Sequence, residues 1–442
     1  MKFTPILIII LLLSAAAFAQ KPTDILATAT GRTFKLSELS PEARGAVEKL
    51  PADTATIRSG LLEQMLNMRA VEIEAASRGI SAGKLMAVEK AKAPSPSEAD
   101  IRAAYDANRE ALGTQTLEQA RKRIVAYLRS GPEQKLLTTL FTQLTTKYKA
   151  AKGKDVNAPR LLPTDVVGSV NGVPITAKQF EDFARVELFE LRADLADFVL
   201  QDLSVSINNA LIADEAKSLG IDSGALLARE VTNKMKDYTD AERIGLEAAL
   251  RKRLWTKYQV RVLFKSPTPP AEVVSLDDDP AQGPLTAPVK VVMFSDFQCS
   301  ACAAVYPLLK KALAAYPGRV RFIVRDFPLE SIHTEAFDAA RAAGAANAQG
   351  KFFEYTEILY KNQDALDPAS LKKYAAQIGL NAAKFDIDFN SPLVAAEVRK
   401  DLADAESYRI TSTPTIFVNG VRMRYLSDED LRAAIDRALA KP

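Results

Sequence analysis

Two cysteines serve all 442 residues, and they stand together as Cys299-Ser300-Ala301-Cys302. With two residues between them, both sulfurs fit within one turn of chain, so the pair can cycle between dithiol and disulfide. An apolar run, Val289–Phe294, leads in with the pattern of a buried strand, and Ala301–Tyr316 follows with helical spacing. A thiol at a strand-to-helix junction lies at the helix N-terminus, where the dipole and free N–H groups favour the thiolate. The chemistry this permits is thiol–disulfide exchange. The blander alternatives are a structural disulfide, a metal site or a haem attachment. Zinc wants four ligands, and beyond the two thiols the chain offers His333 and carboxylates. Haem attachment needs a histidine after the second cysteine, where Ala303 stands. No metal and no cofactor is expected.

The elements that must position this pair are strands alternating with helices. Val273–Leu276, Val289–Phe294, Val320–Val324 and Thr415–Val418 read as strands. Helical pattern fills Ala301–Tyr316, Glu335–Asn347, Phe352–Asn362, Asp367–Ile378, Ala395–Tyr408 and Asp428–Leu439. Residues 271–442 are therefore expected to be an α/β domain. The proline-rich stretch Lys265–Pro270 (KSPTPP) is a stiff hinge in front of it.

Ahead of the hinge the pattern is helical, alanine-rich and charged, and it repeats. ILATATGRTFKLSEL over Ile25–Leu39 corresponds to VVGSVNGVPITAKQF over Val166–Phe180, and EIEAASRGIS over Glu72–Ser81 corresponds to IADEAKSLGID over Ile212–Asp222. Gly79 and Gly220 are natural C-caps. Within the first copy, helices are expected at Glu98–Arg109, Thr116–Ser130 and Pro132–Lys149, with Ser95 or Ser97 capping the first. Two related helical modules follow, residues 20–158 and 159–264. The fold class is thus multidomain, with all-α N-terminal modules before the α/β domain.

Composition sets bounds without deciding function. The apolar fraction is 48% and the net charge +3, so no strong field points to nucleic acid. Lys2, the apolar run Ile6–Ala16 and Ala17-Phe18-Ala19 read as a secretory signal over residues 1–19, cleaved before Gln20. An uncleaved anchor is the alternative. The expectation is an exported protein, periplasmic and soluble after cleavage, in a compartment that permits disulfides.

Residues 271–442 resemble the DsbA-like branch of the thioredoxin superfamily. The words that carry this are FSDFQCSAC (Phe294–Cys302), Pro307 in the following helix, RDFPLESIH (Arg325–His333), QGKFFEYTEILY (Gln349–Tyr360) and TSTPTIFVNG (Thr411–Gly420). The resemblance implies that Cys299 is the exposed nucleophile and Cys302 the buried resolving cysteine. It makes Thr413-Pro414 a cis-proline loop facing the sulfurs and aligning an extended client, and Glu335–Ser391 a helical insert beside the site. Two departures stand out. Ser300 and Ala301 occupy positions where many relatives carry proline and histidine or tyrosine, which implies a less depressed Cys299 pKa and a weaker oxidant. Met293 occupies the place of a buried acid, and Asp296 is expected to point elsewhere. The N-terminal blocks resemble the helical chaperone region of SurA-type peptidyl-prolyl isomerases, on VNGVPITAKQF (Val170–Phe180) and IADEAKSLGI (Ile212–Ile221). That implies client binding; no segment resembles the isomerase's catalytic domain.

Other notable residues have plain explanations. His333, the single histidine, reads as a residue at the start of the insert and stays a secondary candidate with Ser300 and Ala301. Tyr306 reads as core, Phe297 and Gln298 as rim, Asp277–Asp279 as a solvated turn, and the charged helices as solvated faces. The leading expectation is an exported thiol–disulfide oxidoreductase whose partners are unfolded or partly folded exported proteins, with a membrane redox partner implied by the resemblance. Reductase and isomerase are the other directions. The alternative of another class is a holdase-type chaperone with a vestigial or regulatory redox domain.

Overall fold

The computed structural model describes residues 24–113, 115–330 and 332–440; the expected signal and its cleavage site lie outside them. The chain forms two compact units. One takes the residues up to Met68 with Lys149–Thr268, the other Arg69–Tyr148 with Pro269 onwards. The later break falls inside the proline-rich stretch. As expected, the N-terminal region is mainly helical and the C-terminal region α/β.

In the first unit each copy of the repeat opens with a hairpin. β1 (Ile25–Ala29) pairs with β2 (Arg32–Lys35), and β4 (Val166–Val170) with β5 (Val173–Thr176). The second turn is Asn171-Gly172, both at positive φ (52° and 77°), a conformation open to just these residue types at little cost. Each hairpin gains a short third strand, and the two strands are exchanged. β3 (Ala151–Lys152), which closes the first copy, pairs with β4 of the second. β6 (Arg261–Val262), which closes the second copy, pairs with β1 of the first. The apolar core follows the exchange: Leu26, Phe34 and Leu36 are buried with Leu203, Ile207, Leu211 and Leu254. The two copies of the repeat are therefore interleaved across this unit, which does not include Arg69–Tyr148 of the first copy.

Long helices leave the hairpins: α1 (Pro41–Ser77) in the first copy and α6 (Ala177–Ser218) in the second. Thr176 caps α6 by accepting from the Gln179 N–H while the Gln179 side chain accepts from the Thr176 N–H. The first copy continues through α2 (Ala82–Lys90), α3 (Glu98–Ala107), α4 (Arg109–Leu112) and α5 (Leu117–Lys147). The second has α7 (Ser223–Glu230) and α8 (Asp240–Lys257). Ser97, not Ser95, caps α3, through the Asp100 N–H. The two helices expected on either side of Pro132 are one, α5. A proline inside a helix costs about 3 kcal/mol, but buried residues anchor α5 on both sides, Ala120 and Ile124 before it and Leu137, Leu140 and Leu144 after it.

The repeated words of sequence carry repeated chemistry. Glu74 is buried and accepts from Lys147 Nζ and from the Tyr148 hydroxyl (2.7 Å), with Arg78 on its other oxygen. Glu215 is buried and accepts from Lys257 Nζ and the Tyr258 hydroxyl (3.0 Å), with Arg253 at 3.6 Å. These pairings hold Glu74 at about 2 and depress Glu215 as well, chiefly through the bonded lysines. Both glutamates are exceptions to the solvated faces expected of these charged helices.

The C-terminal α/β domain is built on a five-stranded sheet. It comprises β7 (Ala281–Gln282), β8 (Val289–Ser295), β9 (Val320–Asp326), β10 (Thr415–Val418) and β11 (Val421–Arg422), in the order β11-β10-β8-β9-β7. β8 and β9 are parallel neighbours, Val289 beside Val320 through Ser295 beside Asp326, joined by the crossover helix α9 (Ser300–Ala314). β10 returns antiparallel on the other side of β8. The expected strand Val273–Leu276 does not form; Val273 is almost fully exposed, and β7 takes the edge beside β9 instead.

Side chains alternate across the sheet. Val289, Val291 and Met293 face the larger core with both cysteines, while Val292 and Phe294 face the smaller one. Between β9 and β10 come α10 (Ala336–Asn347), α11 (Phe352–Lys361), α12 (Pro368–Gln377), α13 (Ala382–Phe389) and α14 (Pro392–Ser407). α13 is not evident from the sequence; its Asn381 cap and its buried Phe385 and Phe389, one turn apart, account for it. α15 (Asp428–Ala440) closes the domain against α9 and the sheet.

Candidate active site

Cys299 is the N-cap residue of α9, which sets its sulfur at the N-terminal end of that helix. It is 8% exposed, whereas Cys302, one turn in, is 0% exposed. Both are free thiols. The Cys299 S–H points to the carbonyl of Thr413 at 3.3 Å, and the Thr413–Pro414 peptide is cis. β8, α9 and the loop before β10 thus bring together four residues that the sequence singled out: Cys299, Cys302, Thr413 and Pro414. Ser300 and Ala301 form the first turn of α9, where the Ala301 and Cys302 N–H groups reach the Cys299 sulfur.

The environment separates the two thiols. Cys299 is pulled down from 9.0 to about 5, first by the hydrogen bond from Cys302 and then by Thr413 and the two α9 N–H groups, against the opposing effect of burial. The Thr413 contribution comes from its side chain and not from the carbonyl that the Cys299 S–H faces. Cys302 is pushed well above the ordinary thiol range, chiefly by burial. The groups that lower Cys299 are thus the α9 helix end, Thr413 and Cys302, with no imidazole among them.

The loop ahead of Cys299 is fixed from three directions. Asp296, which is buried, accepts from the Gln298 N–H (2.7 Å), the Leu329 N–H (2.7 Å) and His333 Nδ1 (2.8 Å). His333 therefore braces Asp296 and has no hydrogen bond to either sulfur. Gln298 accepts from the Glu335 N–H (2.6 Å). Gln363, in the turn after α11, donates to the carbonyls of Phe297 (2.8 Å) and Cys299 (3.0 Å). Phe297 is buried, its ring tilted against Tyr360 at 5.4 Å, and is not at the rim as expected. Tyr306 is core, as expected, at 5.2 Å from the Tyr360 ring.

Met293 is fully buried in the core that holds the cysteines, so its place supplies no carboxyl. Cys302 instead meets the hydroxyl of Ser295 and the backbone N–H of Asp296. Sequence reasoning missed Ser295, Gln363 and Tyr360, because each acts through a partner at least 64 residues away or, for Ser295, through the turn geometry.

A second polar cluster lies near the end of β9. Arg325, 0% exposed, pairs with Asp279 (2.9 Å), Asp401 (2.5 Å) and Asp404 (2.7 Å), and its guanidinium covers the Phe294 ring at 5.2 Å. Burial and the neighbouring Asp401 push Asp279 up to about 8. Of the Asp277–Asp279 run, Asp277 and Asp278 are exposed as expected, with Asp277 pairing with Lys400, whereas Asp279 is drawn in to hold Arg325.

A family model described as thioredoxin matches residues 275–437. The Na(+)/H(+) antiporter NhaA 1 of Mycolicibacterium vanbaalenii is 34% identical over 192 residues, 41% of this chain and 31% of that protein. The antiporter NhaA 3 of Salinispora tropica is 37% identical over 168 residues, 38% of this chain and 26% of that protein. The chain thus spans about a third or less of these curated relatives. Among solved structures, a thioredoxin-like oxidoreductase from Silicibacter pomeroyi is 26% identical with a TM-score of 0.35, covering 38% of this chain and 95% of that one. BdbD from Bacillus subtilis, oxidised, is 22% identical with a TM-score of 0.35, covering 39% and 98%. Wolbachia pipientis alpha-DsbA1 is 18% identical with a TM-score of 0.34, covering 38% and 96%. The C-terminal region is a thioredoxin-like domain. Among the described residues, no helix is long and apolar enough to cross a membrane.

Proposed function

We propose that this chain is a protein thiol–disulfide oxidoreductase acting through Cys299 and Cys302. One observation carries the reading: a lowered Cys299 thiol at the start of α9, against the Thr413 carbonyl, with a buried partner thiol one turn behind it. In the oxidised protein a client thiolate attacks Cys299, giving a mixed disulfide with Cys302 released as a thiol. A second client thiolate then attacks the client sulfur of that adduct and leaves Cys299 as thiolate. In the reverse direction Cys302 attacks Cys299 and frees the client. Thr413 and Pro414 border the sulfur and align the client chain. The low Cys299 pKa favours the dithiol over the disulfide and therefore a disulfide donor. The antiporters similar to this chain are much longer proteins, of which it spans 31% and 26%.

The repeat modules are proposed to hold unfolded or partly folded exported clients near the sulfurs, which raises their effective concentration. The compartment is proposed to be periplasmic, with a membrane redox partner. Equilibration with glutathione buffers tests the chemistry: a donor or isomerase falls at about −120 to −180 mV, a reductant nearer −230 to −270 mV. Cys302→Ser should accumulate client adducts at Cys299; if none forms, the mechanism is wrong. The buried Met293 favours a second reading, a holdase with a vestigial or regulatory redox domain. Suppression of aggregation of a cysteine-free client that survives Cys299→Ser, with no redox exchange by the wild type, would select it.

A further inference from the structure

When Cys302 resolves a mixed disulfide it must act as a thiolate, yet it is fully buried in an apolar core. Among the described residues, no carboxylate hydrogen-bonds it. Asp296, the carboxyl nearest in sequence, is occupied by Gln298, Leu329 and His333. Asp326 stands beside Ser295 in the β8–β9 register and makes no hydrogen bond to the sulfur. What meets the sulfur is the Ser295 hydroxyl together with the Asp296 N–H. Ser295 is itself 2% exposed, and its Oγ is hydrogen-bonded to the Tyr360 hydroxyl. Tyr360 is locked between Phe297 and Tyr306, at 5.4 and 5.2 Å. Burial keeps its phenol protonated, so it can donate to Ser295 Oγ and turn the serine hydrogen toward the sulfur.

We infer that the Ser295–Tyr360 hydroxyl pair is the positioning device that stabilises the Cys302 thiolate during resolution. The inference rests on the exchange chemistry proposed above. In this step the Cys302 S–H gives up its proton and its sulfur bonds to Cys299. The bond from Cys299 to the client sulfur breaks, and the departing client thiolate takes up a proton. One disulfide replaces another, so no outside oxidant enters. A hydroxyl pair stabilises the anion without carrying a charge of its own, so nothing in this pair titrates in the ordinary working range.

The test uses the full chain. Reduced protein is mixed with oxidised glutathione, quenched with acid at intervals, and scored by intact mass for the Cys299–glutathione adduct and its conversion to the internal disulfide. A lost hydrogen bond to a developing anion should slow conversion by roughly 10- to 100-fold in Ser295→Ala. Tyr360→Phe, which keeps the ring, should slow it several-fold, and Ser295→Thr should restore most of the rate. Alkylation of Cys299 at neutral pH should stay within about twofold in all three, since its own donors are untouched. Conversion in Ser295→Ala as fast as in wild type overturns the inference. So does an equal slowing by Asp326→Asn, which would assign the proton to the neighbouring strand's carboxyl. If wild-type protein forms no adduct at all, the exchange reading falls, and this inference falls with it.

Discussion

The low pKa of Cys299 has a specific cause that one substitution can remove. Its largest contributor is the hydrogen bond from Cys302, ahead of Thr413 and the α9 backbone. A hydrogen bond to a charged group is worth about 1.5–3 kcal/mol, or roughly one to two pKa units. Cys302→Ala should therefore move the Cys299 midpoint from about 5 to about 6–7. The thiolate fraction at pH 5 would then drop from about one half to between about a tenth and a hundredth, and iodoacetamide alkylation there would slow roughly 5- to 50-fold. At pH 8 the rates should agree within about twofold, because Cys299 is ionised in both proteins. Cys302→Ser, which keeps a donor at the position, should shift the midpoint less. The assay is the pH profile of the alkylation rate, with thiolate ultraviolet absorbance as a second readout. A wild-type midpoint near 9.0, or a Cys302→Ala midpoint equal to wild type, would refute the reasoning.

Three further outcomes follow from the same geometry. Because the folded Cys299 pKa lies below 9.0, the thiolate contribution to the reduced form is fully present above that pH and is lost as pH falls through about 5. The urea midpoint of reduced relative to oxidised protein should therefore rise between those two pH values; a flat difference contradicts it. Gln363→Ala removes two bonds to loop carbonyls and should cost about 1–3 kcal/mol, measured by urea denaturation of the reduced protein. Glu74→Ala and Glu215→Ala should each lower thermal stability by a similar amount, about 1–3 kcal/mol, since they hold equivalent lysine and tyrosine partners. A large effect in one copy and none in the other would show that the repeated sequence does not carry a repeated role.

The cysteine pair and most helices of the α/β domain could be read from residue types and short-range periodicity, and the cis-proline loop from the family resemblance of the words around Thr413-Pro414. Those features depend on neighbours a few residues apart. What escaped depends on pairs far apart in the chain. Ser295 looks like the last residue of a strand until Tyr360 is brought beside it, and Gln363 looks like a turn residue until it meets Cys299. Asp279 has the appearance of a solvated acid because its partner, Arg325, is on another strand. The repeat was legible as two copies of similar words, but the exchange of β3 and β6 was not, since two-residue strands leave no periodicity to detect.

That exchange bears on how the chain is made. The hairpin β1–β2 emerges first from the ribosome, but the strand that completes its sheet lies at Arg261–Val262, and much of the core beneath it comes from α6 and α8. Until those residues are synthesised, the nascent first copy carries an open strand edge and an uncovered apolar face, a state prone to pairing with other chains. A gene cut between residues 158 and 159 would thus yield two fragments that each lack a strand. Coexpressed, they should assemble with each other rather than fold as independent domains.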